Sequence, residues 1–121
     1  EEVTGEYFTA NGERVRSKSE IIIADHLRRY GVVYKYEKPL ELTVHGRRVT
    51  FYPDFTVMNS RTGRIYYLEH FGMMYNAVLR KLDAFEMNQL LIGRDVLLLH
   101  ESSSAPLNTR VLDCYIQEYL V

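Results

Sequence analysis

The sequence has a single cysteine, no tryptophan, three prolines and seven glycines in 121 residues. With Cys114 alone, neither an internal disulfide nor a cysteine-rich zinc site is possible. That fits a reducing compartment better than export, so the expected location is the cytoplasm. No stretch approaches the roughly 20 apolar residues of a membrane-spanning helix, and the N-terminus is acidic, unlike a signal peptide, so no membrane partner is expected. His26, His45, His70 and His100 lack zinc-ligand spacing, and there is no glycine-rich phosphate loop. Charge of one sign is also missing. Fifteen Lys and Arg stand against 16 Asp and Glu, a net charge of −1. Nucleic-acid binding normally leaves a basic footprint, so any such surface here must be local. Arg14, Arg16 and Lys18, the pair Arg28 and Arg29, and Arg47 with Arg48 after Gly46 are the candidates, and each reads equally well as a solvated surface group.

What remains is an ordinary globular mixture, 46% hydrophobic and 26% charged, long enough for one domain with a core of its own. No repeat, low-complexity tract or linker divides residues 1–121, and residues 1–13 read as a lead-in arm. The chain starts at Glu1 without a methionine and is expected to be a piece of a longer protein.

Ser17 followed three residues later by Glu20 matches a capping box ahead of Ile21-Ile22-Ile23. Ile23, Ala24, Leu27 and Tyr30 continue at helical spacing to Gly31, which predicts a helix over about 18–30. Val32–Glu37 is rich in β-branched and aromatic residues and stops at Pro39. Leu40–Val44, the turn His45-Gly46-Arg47 and Val49–Met58 read as a hairpin, and Ile65–Phe71 as a further strand. Asn76–Leu91 is helical, with Val78, Leu82, Phe85 and Gln89 in one stripe. The unbroken run Val96-Leu97-Leu98-Leu99 reads as a central strand covered on both faces. A last helix starts near Asn108 and turns Leu112, Tyr115, Ile116, Tyr119 and Leu120 inward, with Cys114 as a small buried hydrophobe. The expected fold is α/β, a mixed sheet flanked by helices in the order α-β-β-β-α-β-α.

The acidic residues carry the chemistry. Alternation along a strand puts Val49, Phe51, Pro53, Phe55 and Val57 on a core face, and Asp54 on the other with Thr50, Tyr52 and Thr56. In the next strand Ile65, Tyr67, Glu69 and Phe71 share a face. Adjacent antiparallel strands can therefore oppose Asp54 and Glu69 at about 5 Å between Cβ atoms. Carboxylates that close repel unless a proton or cation lies between them, and Mg²⁺ suits one or two carboxylates plus water and phosphate. Glu20 lies on the inward stripe of the first helix, where it serves equally as a capping residue and as a third acid.

Ser17-Lys18-Ser19-Glu20, Tyr52-Pro53-Asp54-Phe55-Thr56 and Tyr67-Leu68-Glu69-His70 resemble the motifs of the PD-(D/E)XK nuclease superfamily, the restriction-endonuclease-like fold, over roughly residues 14–100. In particular they resemble a bacterial and phage-type branch with an RSKSE, PDFT and EH.GM pattern. The resemblance implies hydrolysis of DNA phosphodiester bonds with Mg²⁺ or Mn²⁺. Asp54 and Glu69 would be metal ligands, the backbone carbonyl of His70 a further one, and Glu20 would hold the metal directly or through water. One position departs. The lysine expected two residues after the third acid is Phe71 here. Lys81, near the edge of the inward stripe of the following helix, is the first candidate for a migrated lysine, and Lys18 the second. Phe71 also keeps open a nuclease-like module that binds nucleic acid without cutting it. Ten tyrosines and five phenylalanines leave a protein-interaction domain as a weaker alternative. A homodimer, or further domains of a longer chain, are possible partners.

Overall fold

A computed structural model describes residues 6–72 and 75–121. The first helix, α1 (Lys18–Arg29), starts where Ser17 leaves helical geometry and its side chain accepts the Glu20 N–H at 3.2 Å. Only half of the expected capping box forms. The Glu20 carboxylate reaches past the cap and accepts the Arg16 N–H at 2.8 Å. The helix ends at Gly31, whose φ of +73° suits a residue without Cβ, and the Val32 N–H closes the end on the Leu27 carbonyl. Glu20, Ile23, Ala24 and Leu27 are the residues it buries.

Part of the expected arm is not an arm. Tyr7–Phe8 (β1) and Arg14–Val15 (β2) pair as a small antiparallel hairpin, while residues 1–5 lie outside the described residues. After α1 come β3 (Val33–Tyr36), β4 (Leu40–Val44), β5 (Arg47–Phe51), β6 (Phe55–Met58) and β7 (Ile65–Phe71). Helix α2 (Tyr75–Met87), β8 (Val96–His100) and α3 (Thr109–Tyr115) complete the chain, with α3 continuing as a wider π turn over Ile116–Leu120. Asn108 caps α3 by accepting the Arg110 N–H at 2.9 Å.

The class is mixed α/β, and one four-stranded sheet carries it. Its strands lie in the order β3-β6-β7-β8, antiparallel at the first two junctions and parallel at the last. Strands β4 and β5 form a separate two-stranded sheet. Two expectations change here. The run from Val49 to Met58 is not one strand, because Tyr52-Pro53-Asp54 breaks it between β5 and β6. Its apolar positions therefore serve different places: Phe55 and Val57 are fully buried, whereas Val49 is exposed. The strand expected to be central, β8, is at the sheet's edge among the described residues, with β7 as its one neighbouring strand. Its apolar run reflects helices on both faces of an edge strand.

Each face of the sheet has its own core. Phe55, Leu68, Leu97 and Leu99 pack against Ile23 and Leu27 of α1 and against Leu112 and Ile116 near the C-terminus. On the opposite face Val96, with Tyr67 and Leu98 partly buried, meets Ala84 and Phe85 of α2 and Leu42 of the β4–β5 hairpin. Truncating a fully buried Phe55 or Phe85 to alanine would cost about 3–5 kcal/mol. Gln89, expected in the α2 stripe, is exposed beyond the end of that helix. Cys114, expected inside, is exposed. No helix among the described residues is long and apolar enough to cross a membrane.

Candidate active site

The three acids named from the sequence are all buried: Glu20 is 3%, Asp54 3% and Glu69 0% exposed. Asp54 stands one residue before β6, and β6 pairs with β7 so that Phe55 opposes Leu68. Continuing that register sets Asp54 opposite Glu69, and the Asp54 N–H donates to Glu69 Oε2 at 3.1 Å. Asp54 in turn accepts the His70 N–H on Oδ2 at 2.8 Å, so both carboxylates are locked to the neighbouring backbone. Their side chains lie on the α2 side of the sheet.

Helix α2 brings a lysine to the two acids. Lys81 Nζ lies 3.2 Å from Asp54 Oδ1 and 3.1 Å from Glu69 Oε1. The strand position two residues after Glu69 is filled by Phe71, whose ring stacks on His100 at 5.1 Å between centroids. Lys18 is exposed and takes no part in these contacts. The His70 ring turns away from the acids and meets Glu101 Oε1 at 2.5 Å, which Ser19 also contacts at 2.6 Å.

Arg16, in the sequence only a candidate basic group and the first residue of the RSKSE pattern, organises the other half of the site. One guanidinium nitrogen, Nη2, reaches Glu20 Oε2 at 3.0 Å, Asp54 Oδ1 at 2.9 Å and Glu37 Oε2 at 3.1 Å. Its Nε donates to the Tyr36 hydroxyl at 3.1 Å, and that hydroxyl donates to Glu20 Oε1 at 2.7 Å. Arg16 therefore ties the start of α1 to the β5–β6 break and completes the link between Glu20 and the other two acids. Its place just before the capping serine, within the RSKSE pattern, reads equally as a solvated charge.

Electrostatics follow from burial and crowding. Removal from water pushes the Glu69 carboxyl up to about 8, and the Asp54 charge adds to the rise, while Lys81 opposes both. Burial alone would lower the Lys81 pKa, but Glu69 and then Asp54 outweigh it, so the ammonium is held above its ordinary value. The Tyr36 hydroxyl is raised by burial and then by its hydrogen bond to Glu20. Every buried side-chain polar atom among the described residues has a hydrogen-bond partner.

The donors suit a hard divalent ion in a limited sense. Asp54 Oδ1 and Glu69 Oε1 converge on one point, now taken by Lys81 Nζ, and two carboxylates with water and phosphate are a common Mg²⁺ set. Among the described residues no group of three or more His, Cys, Asp and Glu is spaced to enclose an ion by itself. Glu20 is separated from the pair by the Arg16 guanidinium, so its contact with a metal would run through water or through movement of Arg16. Met73, the end of the EH.GM pattern, lies outside the described residues.

Neither a scan against protein-family models nor a search of curated proteins finds a match to this chain.

Proposed function

We propose that this domain is a nuclease of the PD-(D/E)XK type, with the restriction-endonuclease-like arrangement of its sheet, that hydrolyses DNA phosphodiester bonds with a divalent cation. The observation that carries the reading is the buried pair Asp54 and Glu69, opposed across adjacent strands, with Lys81 Nζ between them at 3.2 and 3.1 Å. An acid pair with a lysine is the chemistry the sequence motifs imply, and here the lysine arrives from a helix. Over the four-stranded sheet and the helices the elements run α1-β3-β6-β7-α2-β8-α3, which supports the finer fold assignment. The lone cysteine supports a cytoplasmic setting.

Asp54 and Glu69 would hold the cation, with the His70 carbonyl as a further ligand. A bound Mg²⁺ or Mn²⁺ would supply Lewis-acid stabilisation of the phosphate and a more acidic water. The chain contributes the rest. Released from the acids, Lys81 can donate to the attacking water or to a nonbridging phosphate oxygen. Arg16, with its side chain 57% exposed at the mouth of the site, can meet the substrate's negative charge while holding Glu20. Locking both carboxylates to backbone N–H groups means that little reorganisation is left for the reacting complex.

The test is incubation of purified protein with single-stranded, duplex and branched DNA in Mn²⁺ or Mg²⁺. Wild type should nick or cut, and Asp54→Ala should abolish cutting. Protein that binds metal yet leaves all these substrates and RNA intact would overturn the enzyme reading. A second reading then stands on a specific observation. Arg16 and Lys81 already meet the acids, so the cluster is electrostatically complete as a structural element of a module that binds nucleic acid without cleaving it.

A further inference from the structure

An open cleft of about 470 Å³ lies beside the acids, between α2 and the Tyr52-Pro53 bend. That volume falls in the range of small-ligand sites. Arg16 and Lys81 line it, and both contact Asp54, which lies buried behind them. Tyr52 and Arg80 line it as well. Tyr52 is 50% exposed although its neighbour Pro53 is buried. Among the described residues the side chains of Tyr52 and Arg80 have no hydrogen bond, ion pair or ring contact. The cleft's one acid, Glu37, is already paired with Arg16 at 3.1 Å. Ala77 precedes Arg80 and Lys81 by about one turn, and its small side chain leaves room between them.

We propose that the cleft is a subsite for one unpaired nucleotide beside the scissile phosphate, its base stacked on Tyr52 and its phosphate held by Arg80. The identity of the ligand rests on the nuclease reading of the adjacent acids. A half-exposed ring without a polar partner offers a face to any base, because every base has a π face. A guanidinium free of protein carboxylates is a matched phosphate donor. A base inside a duplex presents only its edges, so it can lie on Tyr52 only after leaving the stack. Single strands, frayed ends and flaps are therefore favoured over blunt duplex.

The experiment is fluorescence anisotropy in EDTA, where no cleavage intrudes. The probes are a fluorescein-labelled oligothymidylate of about ten nucleotides and a blunt duplex of the same length. Wild type should bind the single strand more tightly. Tyr52→Ala should weaken that binding by about five- to a hundredfold, and Tyr52→Phe should keep it. Tyr52→Leu, with apolar bulk but no π face, should share the alanine variant's loss, and thermal melts check that each variant is folded. Arg80→Gln should weaken binding and reduce the salt slope by about one. Wild-type affinity in Tyr52→Ala or Tyr52→Leu, or a preference of wild type for the blunt duplex, overturns the proposal. Cleavage in Mn²⁺ is scored separately. Cutting by wild type with an unchanged KM in Tyr52→Ala removes the subsite alone. Loss of single-strand affinity in Tyr52→Ala, with no cutting by any form, keeps the subsite and removes the nuclease.

Discussion

Replacing Lys81 by methionine keeps most of the apolar stem and deletes the ammonium, which separates its two roles. In chelator at neutral pH the variant loses the bonds to Asp54 at 3.2 Å and Glu69 at 3.1 Å. Cutting one partner out of a buried ion pair costs about 3–5 kcal/mol, because the surviving charge is stranded. Two features of this site soften that loss. The Arg16 guanidinium stays on Asp54 at 2.9 Å, and Glu69, already raised to about 8, sheds its charge by keeping a proton. What remains is roughly one charge-assisted hydrogen bond, about 1.5–3 kcal/mol. An exposed pair would be worth only about 0–1 kcal/mol, but the Lys81 side chain is only 17% exposed and both its partners are buried. At about 4 °C per kcal/mol for a domain of this size, the melting temperature should fall by roughly 6–12 °C. Saturating Mn²⁺ should then raise the variant more than wild type, because the ion and the lysine compete for the same two oxygens. About 2.7 kcal/mol at a hundredfold excess over Kd sets the scale of the metal effect. Circular dichroism melts with EDTA and with Mn²⁺ measure both quantities. A variant melting within about 2 °C of wild type in EDTA would refute the clamp, and loss of the metal-induced rise would refute the shared site.

Glu69 binds its proton more tightly in the folded protein than in the unfolded chain. Its stabilising contribution is therefore complete below the ordinary glutamate value of 4.5 and lost as pH rises to about 8. Urea melts in EDTA across this window should show stability falling by up to about 1.4 kcal/mol per pH unit, a slope that Glu69→Gln should flatten; an equal slope in the variant would contradict the assignment. Asp54→Asn should remove the metal-induced rise in melting temperature, and a rise equal to that of wild type would exclude Asp54 as a ligand. Phe71→Lys should bring no gain in cleavage, because Lys81 already holds the lysine's place beside the acids and a second ammonium there would be repelled. A marked gain, read on the same DNA substrates, would show that Lys81 does not fill that role.

The acid cluster was legible because its residues are positioned by short-range rules. Glu20 follows a capping serine at fixed spacing and falls on the buried stripe of α1 with Ile23, Ala24 and Leu27. Glu69 follows from strand alternation in Ile65–Phe71, the expected strand, whereas Asp54 lies in a bend and keeps the expected face because it directly precedes β6 and continues its register. Lys81 was legible only as a position near the edge of a helical stripe. Strand alternation failed at Tyr52-Pro53-Asp54, where the apolar pattern runs on but the chain bends and passes from one sheet to another. The run at Val96–Leu99 showed that both faces are covered, and a run of that kind carries no information about which edges are paired.

The sequence by itself determined the mixed α/β class, the helix starts at Ser17 and Asn108 and the common face of Asp54 and Glu69, because caps, periodicity and alternation act within a few residues. Tertiary structure alone decided which cations stabilise those acids. Arg16 meets Asp54 across 38 positions of chain, and Lys81 meets it across 27. No local pattern distinguishes an arginine bound for a buried carboxylate from one bound for water. The choice is made when α1 and α2 dock on the sheet, where desolvated negative charge costs more than ordering one long side chain.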